Sequence, residues 1–142
     1  METQIINGIS TKLFETFGPD YTIYSENVEQ FLKEPCFYIE LISSNRKQFV
    51  ANRYKSDNSF DIHFFTSENE LKNEFRRIAD ILFDELEYIQ LNDGALLRGI
   101  NMHYEIVDDV LHFFVDYNLI LQKNIEQKDL MQNYETKIKT KG

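Results

Sequence analysis

Alternation of apolar and polar residues is strongest from Gly99 to Gln122, GINMHYEIVDDVLHFFVDYNLILQ, and predicts a long β-hairpin centred on Asp108-Asp109. With those two residues as the loop, Val107 faces Val110, Ile106 faces Leu111, Tyr104 faces Phe113 and Met102 faces Val115, so one face is apolar throughout. The opposite face carries His103, Glu105, His112, Phe114 and Asp116. The first is a core face. The second, too polar for a core yet still aromatic, has the character of a surface that another molecule covers.

Upstream, Ile6, Ile9, Leu13 and Phe17 recur at helical spacing, with Thr3 as a candidate cap and Gly18-Pro19 as a stop. Gly8 inside this helix costs about 1 kcal/mol relative to alanine and reads as either close packing or mere tolerance, with tolerance favoured. Tyr21 to Tyr24 predicts a short strand. Residues 25–34 form a polar connection with Val28, Phe31 and Leu32 inward, ended by Pro35. Three strands are then predicted, at 36–42, 48–55 and 60–65, joined by the polar connectors 43–47 and 56–59 as a meander. Phe37, Ile39, Leu41, Phe60, Ile62 and Phe64 alternate against Tyr38, Glu40, Asp61 and His63. Ser67 and Glu70 make a capping box for a second helix, 68 to about 88, with Leu71, Phe75, Ile78, Leu82 and Leu86 as its buried stripe and a charged outer side. A short strand at 88–91 and the turn Asn92-Asp93-Gly94 lead to the hairpin.

The expected fold class is therefore α+β: a largely antiparallel, or mixed, sheet with two main helices on one face, in the order α-β-βββ-α-β-hairpin. Residues 1–122 form one domain. Residues 123–142, where alternation stops and Lys, Gln, Glu and Thr dominate, are expected to be a flexible polar tail.

Charge narrows the function. The chain carries −9 overall and residues 123–142 contribute +2, so the body holds −11. That argues against wrapping nucleic acid, whose phosphates demand a basic surface, but not against DNA passing nearby. There is no apolar run near eighteen residues and no secretory leader, so a soluble, intracellular, membrane-free protein is expected. The one cysteine, Cys36, precedes an apolar strand and reads as a buried inert thiol. The five glycines are scattered outside any phosphate-cradling motif, and no Gly-x-Ser-x-Gly elbow occurs.

A set of short segments runs in order through residues 5 to about 121: Ile5-Ile6-Asn7-Gly8-Ile9, Glu26-Asn27-Val28-Glu29-Gln30, Glu34-Pro35-Cys36-Phe37, Asn52-Arg53-Tyr54, Phe60-Asp61-Ile62-His63-Phe64, Met102-His103-Tyr104-Glu105 and Val110-Leu111-His112-Phe113-Phe114-Val115. This set resembles the small prophage tail terminators of long-tailed bacteriophages. The resemblance implies a sheet backed by helices and a non-enzymatic structural protein without cofactor or metal. It further implies a ring, a hexamer on the tail, that caps the head-proximal end of the tail tube, stops its polymerisation and meets the head connector. Its partners would be itself, the tube protein and the connector or neck proteins, with genomic DNA passing through without specific binding. It would sit in the virion after assembly in the bacterial host cytoplasm. The family leads one to expect Asp-Gly at the hairpin tip, where this chain has Asp108-Asp109.

Candidate interface residues follow from exposure and charge. Tyr38, Tyr54, Phe65 and Phe114 should point away from the helix-covered face, either as a second core layer under loops or as an oligomer interface. Arg46, Lys47, Arg53 and Lys55 form a basic strip in an acidic body, read either as a solvated edge or as a dock for an acidic neighbour. His103, Glu105 and His112 complete the set. They are also the metal-like group, with His63 and Asp61 on another strand, although a cross-strand Glu-His pair is the simpler reading. Two alternatives stand beside the terminator: a head-to-tail joining protein of the same class, and a small metal-dependent hydrolase using His103, Glu105 and His112.

Overall fold

The computed structural model describes residues 2–25, 33–67 and 71–122. In chain order these form helix α1 (Glu2–Phe17), strands β1 (Thr22–Tyr24), β2 (Cys36–Val50) and β3 (Arg53–Phe65), helix α2 (Leu71–Glu85), and strands β4 (Tyr88–Gln90), β5 (Leu96–Val107) and β6 (Val110–Gln122). The strands make one sheet in the order β1-β2-β3-β6-β5-β4. Every neighbouring pair is antiparallel except β1 with β2, so the sheet is mixed and the class is α+β. The connection at 26–32, Glu70 of the capping box and the tail at 123–142 lie outside the described residues.

Both helices cover the same sheet face. In α1, Ile5, Ile9 and Leu13 lie four residues apart and are fully buried; in α2, Phe75, Ile78, Ala79 and Leu82 do the same, with Leu86 just beyond its end. They meet Phe37 and Ile39 of β2, Phe60, Ile62 and Phe64 of β3, and Leu111, Phe113, Val115 and Tyr117 of β6 in one core. Gly18, at φ 82°, ends α1, and its N–H donates to the Phe14 carbonyl at 2.9 Å. Thr3 lies within the first turn of α1 rather than before it, so it is not the cap. Gly8 is not merely tolerated either. A Cβ there would stand 3.0 Å from the Gln90 carbonyl oxygen, so it lets α1 pack on the backbone of β4.

The expected three-strand meander is one long hairpin. The polar connectors are strand: Ser43 pairs with Ser59, Ser44 with Asn58, Asn45 with Asp57 and Arg46 with Ser56, and the turn lies at Ala51-Asn52, with Ala51 at φ 48°. Serine, asparagine and aspartate read locally as loop formers, yet here Ser44, Ser56 and Asn58 are linked to one another by side-chain hydrogen bonds. Asn58, fully buried, donates to Ser56 Oγ at 3.1 Å and to the Tyr117 carbonyl at 3.3 Å. Ser44 Oγ stands 2.8 Å from both Asn58 Oδ1 and Glu2 Oε2, and its hydroxyl holds the Glu2 carboxyl below the usual carboxylate range. With β6 paired alongside as far as Arg53 and Gln122, β2 and β3 make a three-stranded arm.

The β5–β6 hairpin has the expected register at its tip, with Val107 opposite Val110, Ile106 opposite Leu111 and Tyr104 opposite Phe113. Asp108 and Asp109 have φ of 52° and 60°, the two positive values of a type I′ turn. Replacing Asp109 by glycine removes the strain of a side chain in that region. The expected result is a gain of up to about 1 kcal/mol, seen as a higher urea midpoint at unchanged slope. Further down, Asn101 at φ 55° makes a bulge: Ile100 pairs with Asp116 and His103 with Phe114, so Asn101 and Met102 together oppose Val115.

Candidate functional site

Strand alternation puts every second residue of β2, β3, β5 and β6 on the face that the helices leave open. His63 of β3 is directly opposite His112 of β6, and on its other side Tyr38 of β2. The two imidazole centroids lie 4.5 Å apart. His112 Nδ1 is 2.9 Å from Asp61 Oδ2, and His63 Nε2 is 3.3 Å from that oxygen and 3.1 Å from Glu40 Oε1. Phe65 stacks along His63, and Phe114 along both His112 and His103. The open face is thus a patch of aromatic and imidazole rings around a buried carboxylate.

Three buried side-chain oxygens on this face, Asp57 Oδ1, Asp61 Oδ1 and Asn118 Oδ1, have no hydrogen-bond partner among the described residues. Asp57 and Asn118 are direct neighbours across β3 and β6. Asp57 Oδ1 also faces Lys55 Nζ at 4.0 Å; buried acceptors left without a donor, as at Asp61 and Asn118, are costly.

The residues singled out in the sequence divide into two groups. Tyr38, Phe65, His103, Glu105, His112 and Phe114 lie on the open face of the sheet's middle. Arg46, Lys47, Arg53, Tyr54 and Lys55 lie on the arm, around the β2–β3 turn. Two expectations change. Tyr54 shares its strand face with Ser56, Asn58 and Phe60, so it belongs to the helix-side face beyond the helices and not to the open face. The basic strip is also split: Arg46 pairs with Ser56 on the helix side, whereas Lys47 and Lys55 oppose each other on the open side with Arg53. The two-residue period of a strand sends neighbouring residues to opposite faces, and the register shift between Leu41 and Ser43 resets the phase in β2. The arm also exposes Phe49, Val50 and Ile120, each more than half accessible.

The trio His103, Glu105 and His112 does not converge. Glu105 is the cross-strand neighbour of His112, but His112 turns to Asp61, and His103 Nδ1 lies 3.3 Å from the Asn101 carbonyl oxygen beside the bulge. The group that does converge is Asp61, His63 and His112. Glu40, which reaches the same His63 nitrogen, carries no mark in the sequence. The only signal lies in the 61/63 alternation, and it becomes readable once the β2–β3 register is known.

Cys36 is buried, and burial together with the Glu34 charge pushes its thiol up to about 11. From an ordinary thiol value of 9.0, that leaves roughly a hundredfold less thiolate at pH 8. Native protein should therefore react with an aromatic disulfide reagent far more slowly than urea-unfolded protein; equal rates would place the thiol at the surface.

Among the described residues no helix is long and apolar enough to cross a membrane. Fold and surface together define a class: a small α+β domain with one sheet face closed by helices and the other left open, polar and aromatic. The sequence matches the family described as phage tail terminator protein over residues 4–129, and the chain belongs to that family. It is therefore a structural protein associated with the phage tail, of a family that is structural rather than enzymatic. No curated protein matches the sequence. Among the solved structures to which the chain is similar, one matches at a TM-score of 0.41 and 10% identity, covering 89% of this chain and 99% of that one.

Proposed function

We propose that this protein caps the head-proximal end of the tail tube, stopping polymerisation and presenting a surface to the head connector. Membership of the tail terminator family over residues 4–129 carries the reading. Subunits assemble into a ring, because a cap that matches a tubular polymer takes its closed symmetry, and the family resemblance implies six to a tail. The ring occupies the edges on which the next tube subunit would dock, so termination is competition for a polymer end.

Two surfaces suit the two kinds of contact. The arm, with exposed Phe49, Val50 and Ile120 beside Lys47, Arg53 and Lys55, offers apolar anchors within a basic rim, the composition of a protein interface. The open face, with Tyr38, Phe65 and Phe114, offers aromatic area for a second neighbour. The acidic body, at −11, repels the genome and lets it slide past.

The test is electron microscopy of tails from a phage lacking this gene, complemented with the natural chain or with Val50→Lys. Overlong, headless tubes in the deletion are expected. Rescue by the natural chain and failure by the lysine variant would assign the arm to docking. Normal-length tails beside unattached heads would mean joining without length control. Intact infectious particles would overturn the reading.

A further inference from the structure

We infer that Asp61, His63 and His112, with Glu40 as fourth ligand, form a binding site for one divalent transition-metal ion, of the zinc class, on the open face of the sheet. The inference is independent of the tail-capping role.

The first argument is proton bookkeeping. His63 Nε2 stands 3.1 Å from Glu40 Oε1 and 3.3 Å from Asp61 Oδ2, and a neutral imidazole nitrogen has at most one proton to offer two carboxylates. Asp61 Oδ2 in turn is shared by His63 and His112, while Asp61 Oδ1 has no partner although the residue is only 7% exposed. Too many acceptors surround too few protons. A cation at their centre takes lone pairs from both carboxylates and both imidazoles, and so resolves the mismatch that hydrogen bonds leave.

Geometry agrees. One donor atom from each of Asp61, His63 and His112 lies within 4.8 Å of the other two. Tetrahedral zinc with bonds of about 2.0–2.1 Å separates its ligand atoms by about 3.3 Å. Within the group Asp61 Oδ2 stands 2.9 Å from His112 Nδ1 and 3.3 Å from His63 Nε2, close to that edge. Glu40 Oε1, 3.1 Å from His63 Nε2, lies outside the group and completes the shell by rotation of its half-exposed side chain. Two imidazoles with carboxylates select zinc, cobalt or nickel over magnesium or calcium, which prefer oxygen alone. The donors come from three adjacent strands, Glu40 from β2, Asp61 and His63 from β3 and His112 from β6, so a bound ion staples the middle of the sheet. Phe65 and Phe114 flank the rings and hold their planes.

The experiment is titration of the untagged full-length chain with zinc chloride by calorimetry, and with cobalt chloride by visible absorption. One ion per chain is expected, with a dissociation constant in the micromolar range or tighter, a tetrahedral cobalt band, and a zinc-dependent rise in melting temperature that a chelator reverses. Asp61→Asn and His112→Ala should each weaken binding at least tenfold, and His103→Ala, on the same face but outside the group, should leave it unchanged. Should the Asp61 or His112 variant fail to fold, as circular dichroism would reveal, the stoichiometry, cobalt band and melting shift of the natural chain decide with the His103 control. No binding at 100 equivalents of metal, or equal losses in His103→Ala and His112→Ala, would overturn the site.

Discussion

Replacing Phe113 by alanine is expected to cost about 3–5 kcal/mol and to lower the melting temperature by roughly 10 °C or more. The ring is fully buried in β6, between Ile62 of β3 and Tyr104 of β5, and Phe83 of α2 meets it edge-on at a centroid distance of 5.0 Å. Truncation therefore removes apolar area, an aromatic pair and one of the contacts that hold α2 over the centre of the sheet. The hole is bounded by strands on both sides, which resist collapse because their ladders fix the spacing, so most of the cavity persists. A domain of this size has about 5–15 kcal/mol in all, so the variant should be marginal at 37 °C. Phe114→Ala provides the comparison. Its ring lies on the open face, half-buried against imidazoles, and its loss should cost much less. Equal losses at the two neighbouring positions, measured by urea unfolding, would contradict the assignment of faces.

Gly99→Ala is expected to be the second most damaging change, at about 3 kcal/mol. A Cβ at this position would lie 2.7 Å from the Leu86 carbonyl oxygen, 2.9 Å from Val115 Cγ2 and 3.3 Å from Tyr117 Cε1. The first of these is backbone and cannot yield cheaply. The Leu86 carbonyl accepts the Tyr117 hydroxyl, and the Gly99 N–H donates to the Glu87 carbonyl at 2.7 Å, so two hydrogen bonds tie the end of α2 to β5 and β6 at this point. Moving apart to admit a methyl group would break them and leave buried polar atoms unpaired. Combining Gly99→Ala with Val115→Ala separates the two clashes. Shrinking the valine relieves the side-chain contact but not the backbone one, and itself costs stability as a truncation of a fully buried core residue. The loss in the double variant should therefore fall short of the sum of the two single losses by only part of the Gly99→Ala cost. A double variant no less stable than Val115→Ala alone would show that the backbone contact is unimportant.

Both predictions concern residues on one strand pair, yet they differ in how visible they are in the sequence. Phe113 sits in the run Leu111, Phe113, Val115, Tyr117, whose alternation alone marks it as core. Gly99 carries no such mark, because a close approach between a strand and the end of a helix is a relation between segments distant along the chain. Gly8 is the same case: it reads as a flaw in a helix until Gln90 is found against it.

The candidate site divides along the same line. That His103, Glu105, His112 and Phe114 share one face is readable, since the Asp108-Asp109 turn sets the register of both strands locally. That β6 pairs with β3, bringing His112 against His63 and Asp61, is not, because nothing between residues 66 and 110 states which edge of β3 the hairpin will join. The same missing partner explains the connectors that turn out to be strand. Residues 43–47 and 56–59 have the composition of loops, and they become strand because β6 supplies a third ladder and because Ser44, Ser56 and Asn58 find one another.

Sequence by itself determined the two helical stripes, the hairpin with its two-residue loop, the identity of the core face and the family, since each depends on periods of 3.6 or 2 residues or on short ordered segments. Only the tertiary structure decided the strand order, the continuity of the arm, the close approaches at Gly8 and Gly99 and the meeting of Glu40, Asp61, His63 and His112. Those are set by which elements bury each other's surface, a competition settled over the whole chain and written in no local stretch of it.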